Sequence, residues 1–149
     1  MGRGSPSRVG GASAPLRAFV DSNILVRHLT GDPPDQAARV AVFLRDAERL
    51  LLVDLVVAEV VYVLESVYDV ERERVAELVR AVLGFPAVVV QDAPLLLRAL
   101  EIYEVHRIHF AEAYLAAAAE TSGIGAVASF DRSLDRVSTV QRVEPGIVP

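Results

Sequence analysis

Apolar residues along the chain fall into two alternating kinds of run. Short, branched-rich runs bounded by turn or acidic residues cover Arg17 to Asp21, Leu51 to Asp54, Ala87 to Gln91 and Gly125 to Phe130. Runs of this kind read as strands buried in a parallel sheet. Val140 to Val143 would be a fifth. The longer runs carry helical spacing. Pro33 to Arg49 places Ala37, Val40, Ala41, Phe43 and Leu44 on one face, and Glu71 to Leu83 does the same with Val75, Leu78, Val79 and Val82 before Gly84 and Pro86 stop it. Val56 to Tyr68, Pro94 to Val105 and Phe110 to Thr121 complete the set. Strands alternating with helices predict an α/β fold, a three-layer α/β/α sandwich around a central parallel sheet of four to five strands. Residues 1–15 are rich in Gly, Ser and Pro and read as a disordered tail, leaving 16–149 as a single domain.

Composition narrows the chemistry. Cysteine is absent, which excludes disulfides, thiolate metal sites and cysteine nucleophiles. All 15 basic residues are arginine, so a mechanism that needs lysine is excluded too, including a phosphate-binding P-loop and the usual phospho-acceptor receiver site. Residues 1–17 lack the apolar centre of a secretory signal, and the most apolar stretch, Leu50 to Leu64, is interrupted by Asp54 and Glu59. The expectation is a soluble, cytoplasmic protein with no membrane contact. The net charge of −5 suits a chain that gathers carboxylates around a metal, and equally an ordinary soluble enzyme.

Ligands of a parallel sheet sit beyond the carboxyl ends of its strands. That rule singles out Asp21 and Asp131, although either could equally be the N-cap of a following helix. Glu59 lies among apolar neighbours on both sides in Val56–Val61, where a carboxylate needs solvent, a salt bridge or a metal. Glu112 stands in the first turn of an alanine-rich helix; the helix dipole alone would favour it there. Four carboxylates facing one point would repel each other unless a cation sat between them, and Mg²⁺ or Mn²⁺ is the simplest choice for oxygen donors. Asp54 and Asp92 follow strands and are expected to cap helices. The three histidines lack the spacing of a zinc site.

These residues carry a resemblance. The stretch Phe19 to Arg27 leading to Gly31-Asp32-Pro33 resembles the opening motif of PIN domains. Leu55 to Leu64 is similar to the second motif around Glu59, Ile108 to Ala117 to the third around Glu112, and Ala128 to Arg132 to the fourth around Asp131. Each is weak singly; their order and spacing agree over nearly all of Ala18 to Val143. The resemblance, to the VapC toxin type within that family, implies a metal-dependent endoribonuclease. It implies Asp21, Glu59, Glu112 and Asp131 as catalytic metal ligands, with Asn23 and Ser129 as supporting polar groups. It also implies an RNA substrate, a cognate antitoxin whose tail covers the acidic site, and a homodimer. One position departs: the third motif usually carries aspartate where this chain has Glu112.

Asp135, one turn past Asp131, is a candidate addition to the cluster, or a partner of Arg132. Arg27, Arg107, Arg132 and Arg136 flank the site and are candidate contacts for RNA phosphates. The competing expectation is a PIN-like module that binds RNA or an antitoxin and cuts poorly, motivated by Glu112 and the net acidity.

Overall fold

The structure is a computed structural model and describes residues 16–146. The expected tail, 1–15, lies outside the described residues. The elements run β1 (Arg17–Phe19), α1 (Ser22–Thr30), α2 (Pro34–Asp46), β2 (Arg49–Leu51), α3 (Asp54–Ser66), α4 (Arg72–Leu83), β3 (Val88–Val89), α5 (Ala93–His106), α6 (Phe110–Ser122) and β4 (Ala126–Ala128). A 3₁₀ turn over Arg132–Arg136 and β5 (Gln141–Val143) follow. This is the predicted α/β alternation, with α1 following directly on Asp21 and β2 beginning two residues earlier than its apolar run suggested.

Among the described residues every strand pairing is parallel, in two ladders: β1-β2-β3 and β4-β5. The expected sheet is thus five strands divided three and two. Strands of two or three residues present few backbone groups, so the ladders are narrow and helix packing carries most of the burial. Phe19, Leu51 and Val89 are register partners, and so lie on one face of the first ladder. Phe19 on that face is 72% exposed, whereas Leu50, which points the other way, is fully buried. Burial is therefore one-sided here, as the alternation in Arg17-Ala18-Phe19 and Arg49-Leu50-Leu51 allows.

A single apolar cluster joins the elements, built on Leu25, Leu50, Leu64, Leu100 and Tyr103. The α5–α6 hairpin is its most closely packed part, with Ala99 of α5 and Ala113, Ala116 and Ala117 of α6 all fully buried. Small side chains let the two helices approach closely. Gly123 closes α6 with φ at 81°, a left-handed conformation that suits glycine. Among the described residues, no helix is long and apolar enough to cross a membrane.

Candidate active site

Asp21 stands just beyond β1, in extended backbone, and is the N-cap of α1. Its Oδ1 accepts the Ser22 N–H at 2.7 Å, and its Oδ2 accepts Nδ2 of Asn23 at 3.3 Å. Asn23 therefore touches the carboxylate it was expected to support. Capping and a ligand role are compatible, because each carboxylate oxygen keeps a further lone pair.

Asp131 is the matching residue beyond β4. It caps the 3₁₀ turn, its Oδ1 accepting the Ser133 N–H at 2.9 Å, while its own N–H donates to Ser129 Oγ at 2.9 Å. Ser133, by side chain and backbone, holds the Asp131 carboxyl below its ordinary value, helped by the charges of His109 and Arg136. His109 is the N-cap of α6, the helix that packs against this 3₁₀ turn.

Glu59 departs from the expected surroundings. The apolar residues beside it, Val57, Val60 and Val61, turn into the core, while Glu59 faces outward between Leu55 and Tyr62, which are 78% and 65% exposed. Its neighbours in sequence are not its neighbours in space, because successive helix residues turn by about 100°. Solvent already satisfies it. Glu112, in the first turn of α6, is half-buried and, among the described residues, has neither a hydrogen bond nor an ion pair to its carboxylate.

The helices carrying these two glutamates are tied together by a contact the sequence did not suggest. The Tyr114 hydroxyl of α6 donates to Asp54 Oδ2 in the first turn of α3. That hydrogen bond, with burial and the charges of Asp54 and Asp92, pushes the Tyr114 phenol up to about 12. Asp54 is accordingly not a cap: it is the first residue of α3, whose N-cap is Val53, and its side chain is spent on Tyr114. Asp92 does cap α5, accepting the Leu95 N–H at 3.1 Å. The two residues of the Tyr114–Asp54 pair are 60 apart in sequence, too far for any local pattern to announce it.

Asp135 is paired with Arg142 of β5, through Nε at 3.0 Å and Nη2 at 3.3 Å, which lowers the Asp135 carboxyl pKa. That partner differs from the expected Arg132. Three of the four flanking arginines are likewise engaged. Arg27 bonds Gln36 and the Asn23 carbonyl, Arg107 pairs with Glu73 at 2.9 Å, and Arg136 donates to the carbonyls of His106 and Arg107. Arg132 is exposed and, among the described residues, makes no hydrogen bond or ion pair.

The donors at the four acidic positions are carboxylate oxygens throughout, the chemistry that suits Mg²⁺ or Mn²⁺. As placed, no three acidic or histidine side chains among the described residues stand close enough to share one ion. The structure brings together elements: α3 with α6 through Tyr114 and Asp54, and α6 with the 3₁₀ turn that Asp131 caps.

Residues 18–140 match the PIN domain. The chain belongs to the PIN-domain family. The match spans β1 to the residue before β5, and so contains all four acidic positions. The chain is also similar to a VapC ribonuclease of Aquifex aeolicus (strain VF5), 26% identical over 123 residues that cover 80% of this chain and 90% of that protein.

Proposed function

We propose that this PIN domain is a metal-dependent endoribonuclease, the toxin of a toxin–antitoxin pair, in which Asp21, Glu59, Glu112 and Asp131 hold Mg²⁺ or Mn²⁺. The observation that carries the reading is Glu112. A half-buried carboxylate without a protein partner is costly unless something outside the chain supplies the positive charge. Its helix is linked to those bearing Glu59 and Asp131. The similarity to a VapC ribonuclease supports RNA as the substrate. Bound metal would supply a hydroxide nucleophile and stabilise the leaving oxygen of a phosphodiester. The chain's own part is to fix the carboxylates: Asn23 and the Ser22 N–H orient Asp21, and Ser129 and Ser133 orient Asp131. Arg132 is the remaining cation for an RNA phosphate.

A cognate antitoxin and a second copy of the chain are the proposed protein partners, and the cytoplasm the proposed location. Leu55 and Tyr62, exposed on either side of Glu59, are apolar surface that a protein partner would cover. The test is cleavage of a mixed cellular RNA pool with Mg²⁺ or Mn²⁺, beside EDTA and Asp21→Asn controls. Metal-dependent cuts lost in both controls are expected; cleavage equally fast in excess chelator would sink the proposal.

A second reading, a PIN domain that binds RNA or antitoxin without cutting, is favoured by the lack of three convergent donors and by Glu112 in place of aspartate. An extra methylene moves the carboxylate by about one bond length, and misplacement of that order costs up to ~10²-fold in rate. Glu112→Asp separates the readings. A silent protein that becomes active is an attenuated nuclease; silence in both forms favours binding alone.

A further inference from the structure

The corner between α5 and α6 is three residues long, Arg107 to His109, and Arg107 takes a left-handed backbone with φ at 55°. The last carbonyls of α5 have no partners within the helix, and cations are favoured at that end. Two arginines from other elements donate to carbonyls at this corner. Arg72, the first residue of α4, donates through Nη1 to the Tyr103 carbonyl at 2.9 Å and to the Ile108 carbonyl at 2.6 Å. Its guanidinium lies 4.4 Å from the centre of the buried Tyr103 ring. Arg136, the last residue of the 3₁₀ turn, reaches the same corner and donates through Nη1 to the Arg107 carbonyl at 2.8 Å and the His106 carbonyl at 3.4 Å.

The turn that Arg136 ends is the one that Asp131 caps, and the corner it grips leads in three residues to Glu112. Arg72 fixes that corner against α4, so the anchor is rigid. We infer that Arg136 is a positioning residue: by tying the 3₁₀ turn to the α5–α6 corner, it sets the Asp131 carboxylate relative to Glu112. This rests on the metal-nuclease reading above and is an alternative to the expected contact between Arg136 and RNA phosphate. Its Nη1 donates to protein carbonyls.

The test is Mn²⁺ titration of the RNA-free protein, read by electron paramagnetic resonance, for wild type, Arg136→Ala and Arg136→Lys, with KM for RNA measured at saturating Mn²⁺. Loss of a group that orients ligands typically costs 10- to 100-fold in metal affinity. Arg136→Ala is therefore expected to bind Mn²⁺ at least ~10-fold more weakly with KM unchanged. Arg136→Lys, which keeps a donor for one carbonyl, is expected to recover part of the loss. It carries the test alone if the alanine variant does not fold. Unchanged Mn²⁺ affinity with a raised KM and a shallower salt dependence would overturn the inference in favour of a phosphate contact. Wild-type protein that takes up no Mn²⁺ would overturn the nuclease reading along with it. Equal Mn²⁺ uptake by wild type and the variants would overturn the positioning role alone.

Discussion

Acidic residues live differently on two sides of this molecule. On the flank built by α3, α4, α5 and α6, three carboxylates meet a donor from another element. Glu120 is held through both oxygens by Arg98 at 2.7 and 2.8 Å, Glu104 by Arg80 at 2.9 Å, and Glu65 by the Tyr103 hydroxyl. At the proposed site, Asp21 has only Ser22 and Asn23 beside it, and Glu59 and Glu112 have no hydrogen-bonded partner among the described residues. The flank completes its own electrostatics and should contribute to stability.

Breaking that contrast should separate activity from folding. The largest expected effect is Asp21→Asn. It removes a proposed ligand, so RNA cleavage should fall by more than ~100-fold, since even the loss of a supporting group costs up to that much. Thermal unfolding of the same variant should change little. Glu120→Gln should do the reverse. Removing a half-buried, doubly bonded carboxylate from Arg98 and Thr139 should cost about 2 kcal/mol by urea unfolding, with cleavage retained. Tyr103→Phe, which strips the hydroxyl from Glu65, should cost about 1 kcal/mol in the same assay. Arg74→Ala, which breaks an exposed pair with Glu77 at 2.9 Å, should stay within about 0.5 kcal/mol of wild type.

The pH dependence sharpens the same contrast. Arg98 holds the Glu120 carboxyl below its ordinary value, with Thr139 adding to the effect. The unfolded chain therefore binds a proton more readily than the folded one. The contribution of Glu120 should be fully present above the ordinary glutamate pKa and be lost as pH falls through the depressed folded value. At the alkaline end the Tyr114 phenol, raised to about 12 by its bond to Asp54, works in the opposite sense. Its contribution should persist up to the ordinary tyrosine pKa and disappear as pH rises toward 12. Urea midpoints measured across pH should show both limbs, and Tyr114→Phe should flatten only the alkaline one.

The sequence disclosed the parts that depend on local pattern. Helical spacing in Glu71 to Leu83 and the stop at Gly84 located α4 to within a residue, whereas α1 was marked only by Asp21 as a candidate N-cap. The four acidic positions rest on local motifs that resemble those of the family, and each motif was readable from the sequence alone. Long-range features were not. The Tyr114–Asp54 bond joins two helices across 60 residues, and Arg136 reaches carbonyls 29 and 30 residues away. Glu59 misled in a different way: apolar letters on both sides suggested burial, but helical rotation carries them to the core and leaves it outside. The single sheet also could not be tested by pattern, since hydrophobic runs mark strands without saying which edges pair.

Asp21, Glu59, Glu112 and Asp131 are proposed to hold a divalent ion together, and diffraction from Mn²⁺-soaked crystals reads the site out. An anomalous peak bound by Asp21 and Asp131 is expected, with Glu59 or Glu112 completing the protein ligands, at roughly 2.0–2.2 Å from their oxygens. The peak is expected to be lost in Asp21→Asn. A well-ordered crystal with no peak at these residues, from protein that cuts RNA in the same Mn²⁺ buffer, would contradict the proposal.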